Sequence, residues 1–228
     1  MENMTVRLIS YSKAMNYDSE MDLIETIAYC ARVSNPSNQN NTETNEKLLR
    51  YLIKHKHWSP FEMASACLEI DTTRDIARQI LRHRSFSFQE FSQRYADPTQ
   101  DLDFEVRDAR LQDQKNRQNS VDLDMADEYE AGLQDRWGQM QQRVIDEAKI
   151  AYSWAIENGI AKEQARAVLP EGNTQSRMYM NGTIRSWIHY IDLRSANGTQ
   201  KEHMEIAREC AKALEPVFPM ITEFVHEL

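Results

Sequence analysis

Arginine is gathered into two stretches of this chain. Residues 72–96 hold Arg74, Arg78, Arg82, Arg84 and Arg94, and residues 165–200 hold Arg166, Arg177, Arg185 and Arg194; neither stretch contains a lysine. A guanidinium is a planar fork of donors matched to phosphate, carboxylate and pyrimidine edges, whereas a lysine ammonium is a hydrated point charge. Such local positive charge in an otherwise acidic chain is what an anionic ligand requires. The competing account is two arginine-rich helix faces in solvent.

The denser run is Gln79–Tyr95. Arg74, Arg78 and Arg82 fall at i, i+4 and i+8, one face of a predicted helix. From Ser85 the pattern alternates, with Phe86 and Phe88 on one side and Ser85, Ser87 and Gln89 on the other. A switch from helix to extended chain there would splay Arg82, His83 and Arg84 about the junction. Aromatic rings beside guanidinium groups suit a nucleotide or a flavin. Ser92-Gln93-Arg94 offers hydroxyl, backbone N–H and guanidinium donors to a phosphate.

In the second stretch Arg177, Asn181, Arg185 and His189 recur at intervals of four, opposite Met178, Ile184, Trp187, Ile188 and Ile191. This spacing predicts one long helix over about 174–193. Gly182 inside it would cost about 1 kcal/mol relative to Ala, which fits either close approach of a ring or backbone or a simple packing detail.

The elements that must position these residues follow from pattern. Met4–Ile9 reads as a strand, Met21–Val33 and Glu46–His55 as helices, and Ser37–Thr44 as a polar loop. Ser59-Pro60-Phe61-Glu62 carries a helix-start signature, and equally suits a turn into an alternating strand over Ala64–Ile70. Thr72 or Thr73 caps a helix through Leu81. Residues 97–135, rich in Asp, Gln and Arg and without a clear period, read as a surface excursion from one domain spanning 1–228. Trp137–Ile156 is a strong helix, and a last helix runs over about 200–214.

Composition narrows the class. Lys+Arg 27 against Asp+Glu 36 leaves a net charge of −9 over 228 residues. Only six Gly and six Pro disfavour a many-turned β-sandwich and favour long helices. No apolar run approaches the roughly 18 residues of a membrane span, and Met1–Ser10 lacks a signal-peptide layout. Cys30, Cys67 and Cys210 are widely separated, which predicts reduced thiols in a cytoplasmic compartment. No metal is expected: His55 and His57 diverge on a helix, and Glu223-Phe224-Val225-His226 has no second copy and reads as a terminal solvated helix. There is no G-x-G-x-x-G, Walker lysine loop or G-x-S-x-G. A single-stranded nucleic-acid-binding module using Arg74–Arg94 and its rings is the alternative function, opposed by the net charge and the missing lysines.

Arg82-His83-Arg84, then Ser92 and Arg94-Tyr95, resembles the signature of the flavin-dependent thymidylate synthases. Ala31-Arg32-Val33-Ser34, His57-Trp58-Ser59-Pro60-Phe61-Glu62, Ala165–Pro170 and Arg185–Arg194 are similar to further blocks of that family, in its order. The resemblance implies an α+β domain, a mainly antiparallel sheet packed by long helices, in a homotetramer with shared active sites. It implies FAD-dependent reductive methylation of dUMP to dTMP, with methylenetetrahydrofolate as carbon donor and NADPH as reductant. Carried over residue by residue, Gln79, Arg82, Glu90, Ser92, Gln93 and Arg94 would bind dUMP and Arg166 would complete the phosphate site. Arg194, the catalytic residue, would hold the pyrimidine and favour its ionised form. Arg82, His83 and Arg84 would flank flavin and folate. Ser34, His57, Ser59, Glu62, Glu90, Arg185 and His189 would complete the FAD environment. Three positions depart from the family pattern: Gln89 stands for Asn, Met63 for His, and Thr183 lies near a position often held by Asn. The route needs no thiol, and none of the cysteines sits in the Pro-Cys-His setting of the thiol-dependent enzymes.

Overall fold

The computed structural model describes residues 5–14 and 21–227. Strand β1 (Thr5–Tyr11), helix α1 (Leu23–Ala31) and helix α2 (Asn45–Lys54) are followed by a 3₁₀ turn at Ser59–Glu62 and strand β2 (Ser65–Thr73). Next come α3 (Arg74–Ile80), β3 (Ser87–Glu90), the short α4 (Pro98–Asp101) and a hairpin of β4 (Arg110–Gln112) and β5 (Ser120–Asp122). The 30-residue α5 (Glu128–Glu157), the short α6 (Lys162–Ala165), β6 (Gln175–Thr183), α7 (Ile184–Arg194) and α8 (Lys201–Leu214) complete the order. The fold is α+β. Met4, placed in the first strand from sequence, lies outside the described residues.

One sheet, in the order β1-β2-β6-β3, has antiparallel neighbours throughout. Ala66, Leu68 and Ile70 of β2 and Met178 and Met180 of β6 are buried on one face, because alternate residues of a strand share a side. Trp187, Ile188 and Ile191 of α7 and Ile206, Ala207 and Cys210 of α8 belong to the same core. Trp187 Nε1 donates to the Ala66 carbonyl at 3.0 Å, satisfying a buried indole that would otherwise be costly.

The long helix expected over about 174–193 is instead a strand followed by a helix. Ser176, Met178, Met180 and Gly182 are buried while Arg177, Tyr179 and Asn181 are exposed, a period of two. The same residues satisfy a period of four on paper. The sheet decides between the two, because β2 and β3 flank β6 and take its backbone groups. Arg177 and Asn181 therefore leave the helix that carries Arg185 and His189. Thr183 becomes the N-cap of α7, its hydroxyl accepting from Ser186 N at 3.3 Å.

Gly182 does permit close approach of a ring, though on a strand. A Cβ there would lie 2.3 Å from Phe86 Cδ1, so only a hydrogen fits.

Three further expectations shift. Helix α5 begins at Glu128, with Asp127 accepting from the amides of Tyr129 and Glu130, so residues 128–135 belong to it rather than to the excursion. Ser59–Glu62 takes the turn reading, with no side-chain cap. Residues around Glu223–His226 form a short 3₁₀ turn (Pro219–Phe224) and an extended end, where His226 meets Asp192 at 2.9 Å.

Candidate active site

Strand β3 pairs with β6 from Ser87↔Asn181 to Glu90↔Met178, which lays the two arginine-rich stretches side by side. Helix α3 ends at Ile80 and β3 starts at Ser87, so Arg82, His83 and Arg84 sit in the connection as the alternation implied. Arg82 and Arg84 are exposed, with no side-chain partner among the described residues.

His83 turns inward. Its Nε2 accepts from Arg194 Nε at 2.9 Å, and its ring stands edge-on to Tyr190 at 4.9 Å. Burial, with the Arg194 and Arg82 guanidinium groups beside it, lowers its pKa to about 4, so it is neutral at physiological pH and free to accept. Arg194 ends α7, where the helix dipole favours a cation, and its terminal nitrogens have no partner among the described residues.

Gln79, on the last turn of α3, lies behind this pair. Its Nε2 donates to Gln200 Oε1 at 2.7 Å, and its Oε1 faces His203 Nδ1 at 3.3 Å. Sequence reasoning missed His203, Gln200 and Glu202. The available signal was spacing: His203 shares a helical stripe with Ala207, Cys210 and Leu214, all of them buried, and His203 is 0% exposed.

Glu90 is held by Ser176 Oγ at 2.9 Å and lies 3.6 Å from guanidinium nitrogens of both Arg74 and Arg78. Arg74 is buried and also meets Glu171, so the expected continuous face of Arg74, Arg78 and Arg82 does not form. The helix stops before Arg82, and the first two arginines spend their charge on carboxylates.

Arg94 and Arg166 both border α6, and Ser92 turns the chain that carries Arg94. The Ser92 carbonyl accepts from the amides of Tyr95 and Ala96, turning the chain, and Arg94 reaches Glu163 at 3.3 Å. Arg166 follows α6 directly, half-buried and without a side-chain partner among the described residues. Gln93 points inward instead, buried, its Nε2 without a partner among the described residues.

A further group gathers at the start of α7. Arg185 pairs with Glu62 at 2.5 Å, and His189 meets Trp58 edge-on at 4.5 Å. Burial and the Arg185 charge lower the pKa of His189. His57 and Ser59 flank Trp58 and are exposed. Ser34 lies exposed in the turn after α1, whose helix packs against the Ser59–Glu62 turn. Of the three departures, Met63 and Gln89 are exposed and Thr183 is occupied as a cap.

The chain matches the family model described as thymidylate synthase complementing protein (Thy1) over residues 16–220. It is 48% identical over 220 residues to the flavin-dependent thymidylate synthase of a Synechocystis species, covering 96% of this chain and 97% of that one. The chain belongs to the flavin-dependent thymidylate synthases. A "probable flavin-dependent thymidylate synthase" of Paramecium bursaria Chlorella virus 1 is also 48% identical, covering 96% of this chain and 98% of that protein. The fold is that of a UMP/dUMP methylase, PolB from Streptomyces cacaoi, solved with 5-Br dUMP: TM-score 0.79, 24% identity, 97% of this chain and 94% of that one. As a flavin-dependent thymidylate synthase the chain is a methyltransferase.

Proposed function

We propose that this chain converts dUMP to dTMP, with FAD bound, methylenetetrahydrofolate as carbon donor and NADPH as reductant. The observation that carries the reading is the Arg194–His83 pair. A neutral imidazole in the α3–β3 connection fixes Nε of the guanidinium that ends α7, whose remaining donors have no partner among the described residues, so one residue from each arginine stretch meets here.

Attack by uracil C5 on an electrophilic carbon needs negative charge spread over the ring. Arg194, aimed by His83 and partly shielded from water, would stabilise that charge, the largest single effect such a site can supply. Arg94 and Arg166 would hold the phosphate and Ser92 would donate to it, with Gln93 contributing through its backbone because its side chain is buried. Gln79, Arg82 and Glu90 would complete the dUMP subsite.

The residues present fit FAD by their chemistry. Arg82 and Arg84, without side-chain partners among the described residues, are cations for a diphosphate or an anionic ring edge, while Ser34, His57, Ser59, Glu62, His83, Glu90, Arg185 and His189 offer donors, acceptors and flat rings. FAD when bound would supply two-electron transfer, which no side chain of this protein provides. The chain would act as one cytoplasmic domain in a homotetramer. Helix α5 supports the assembly: Trp137, Met140, Val144 and Trp154 are 47–60% exposed along one stripe, a burial debt a second copy would settle. Among the described residues no helix is long and apolar enough to cross a membrane.

The test is direct. Purified protein should carry flavin absorbance or acquire it with FAD, and form dTMP when given dUMP, methylenetetrahydrofolate and NADPH. Protein that takes up no FAD and makes no dTMP would reject the proposal.

A further inference from the structure

A hydrogen-bonded chain crosses the protein from the β4–β5 hairpin to Tyr190, and its direction is dictated at one end. Arg110 pairs with Glu202 Oε1 at 2.6 Å, both side chains being nearly buried. Burial pushes the Glu202 carboxyl up, but its own backbone N–H, Gln200 and Arg110 outweigh this and hold it below its ordinary value. An ionised carboxylate only accepts, so Gln200 must turn Nε2 toward Glu202 Oε2, at 2.9 Å. Gln200 Oε1 is then left facing Gln79, which must turn its own Nε2 toward it, at 2.7 Å. The Gln79 oxygen consequently faces His203, so His203 Nδ1 carries the proton, at 3.3 Å. His203 Nε2 is left to accept from the Tyr190 hydroxyl at 3.2 Å. Each group in the chain has one allowed orientation.

We infer that His203 and Glu202 are positioning residues for the dUMP subsite: from opposite ends they hold the Gln79 amide in a single orientation, with a fixed donor and a fixed acceptor left for the nucleotide. A glutamine amide free to turn over would present donor and acceptor interchangeably and would pay rotamer entropy on binding. Here both are removed before the ligand arrives. Neither His203 nor Glu202 needs to touch substrate. The inference rests on the proposed dUMP activity and adds to it the device that orients one of its contacts.

The experiment is a double-mutant cycle on the FAD-loaded enzyme, read as dUMP Kd by titration and as KM against kcat. His203→Leu should weaken dUMP about tenfold, with the loss on KM more than on kcat. His203→Asn keeps a donor near the Nδ1 position and should recover affinity to within about threefold of the native chain. In a Gln79→Ala background, His203→Leu should add less than about twofold, because there is no amide left to orient. Glu202→Gln repeats the cycle from the other end and serves if His203→Leu does not fold. Losses that multiply fully in the Gln79→Ala background, or no recovery by His203→Asn, would overturn the positioning role. A native enzyme that binds no dUMP would overturn the activity itself, a distinguishable result.

Discussion

Arg194 Nε donates to His83 Nε2 at 2.9 Å, across 111 residues of chain. A cation and an imidazole make this contact only while the imidazole is neutral, and burial together with two guanidinium groups keeps it so. The pair converts a flexible arginine into a directed one.

Arg194→Ala should abolish dTMP formation, lowering kcat by at least about 100-fold, while FAD stays bound. Arg194→Lys should fail nearly as badly, since one ammonium cannot both donate to His83 and present a planar fork. Single-turnover product analysis with parallel flavin spectra checks both; undiminished dTMP formation in either variant refutes the role.

His203, whose pKa burial and the neighbouring Arg194 and His83 lower to about 3, makes stability depend on pH. Its folded pKa lies below the unfolded value of about 6.5, so the stabilisation is complete above that value and is lost as pH falls toward the folded pKa. His83, at about 4, acts in the same direction. Between pH 6 and 4.5 each contributes a slope of up to about 1.4 kcal/mol per pH unit. The urea-unfolding free energy of His203→Asn should therefore fall less steeply than that of the native chain over this window. Parallel curves would show that His203 titrates normally.

Gly182→Ala places a Cβ 2.3 Å from Phe86 Cδ1 and should destabilise the fold by about 1–3 kcal/mol, measured by chemical denaturation. Adding Phe86→Leu should return part of that loss, because the ring is what the methyl meets. Equal stability of Gly182→Ala and the native chain contradicts the packing.

Arg94 is paired with Glu163 at 3.3 Å in a half-exposed bridge. Glu163 therefore competes with a phosphate for the Arg94 guanidinium. Glu163→Gln should lower the KM for dUMP by about two- to threefold at low salt and have little effect at high salt, as for an exposed ion pair. A raised KM would mean that Glu163 assists the site.

Val144, 52% exposed on the α5 stripe, should be intolerant of charge if that stripe is buried between copies. Val144→Glu should reduce the mass measured by light scattering without unfolding the protomer. An unchanged assembly would place the interface elsewhere.

Most helices were readable because local pattern and burial agree in them. The helix expected over about 200–214 is α8, Lys201–Leu214, and the helix expected over Glu46–His55 is α2, Asn45–Lys54. Residues 174–183 were not readable in the same way. Arg177, Asn181, Arg185 and His189 fit a helical face as written, and only the strands on either side select the extended form. The site divides along the same line. Arg82, His83, Arg84, Ser92, Arg94 and Arg194 lie in blocks that resemble the family's, whereas His203 and Gln200 carry no motif and enter through hydrogen bonds made by the fold.

By itself the amino-acid order determined the helices with one apolar face, the clustering of guanidinium groups in an acidic chain, and the motif blocks that mark the family, since each is a property of neighbours along the chain. Tertiary structure alone decided which arginines are consumed by carboxylates, as Arg74 is, and which meet none among the described residues, as Arg194 does. It also set the conformation of β6 and the direction of the Gln79 amide. These outcomes depend on partners distant along the chain, by as many as 121 residues for Gln79 and Gln200, and no local propensity encodes such a pairing.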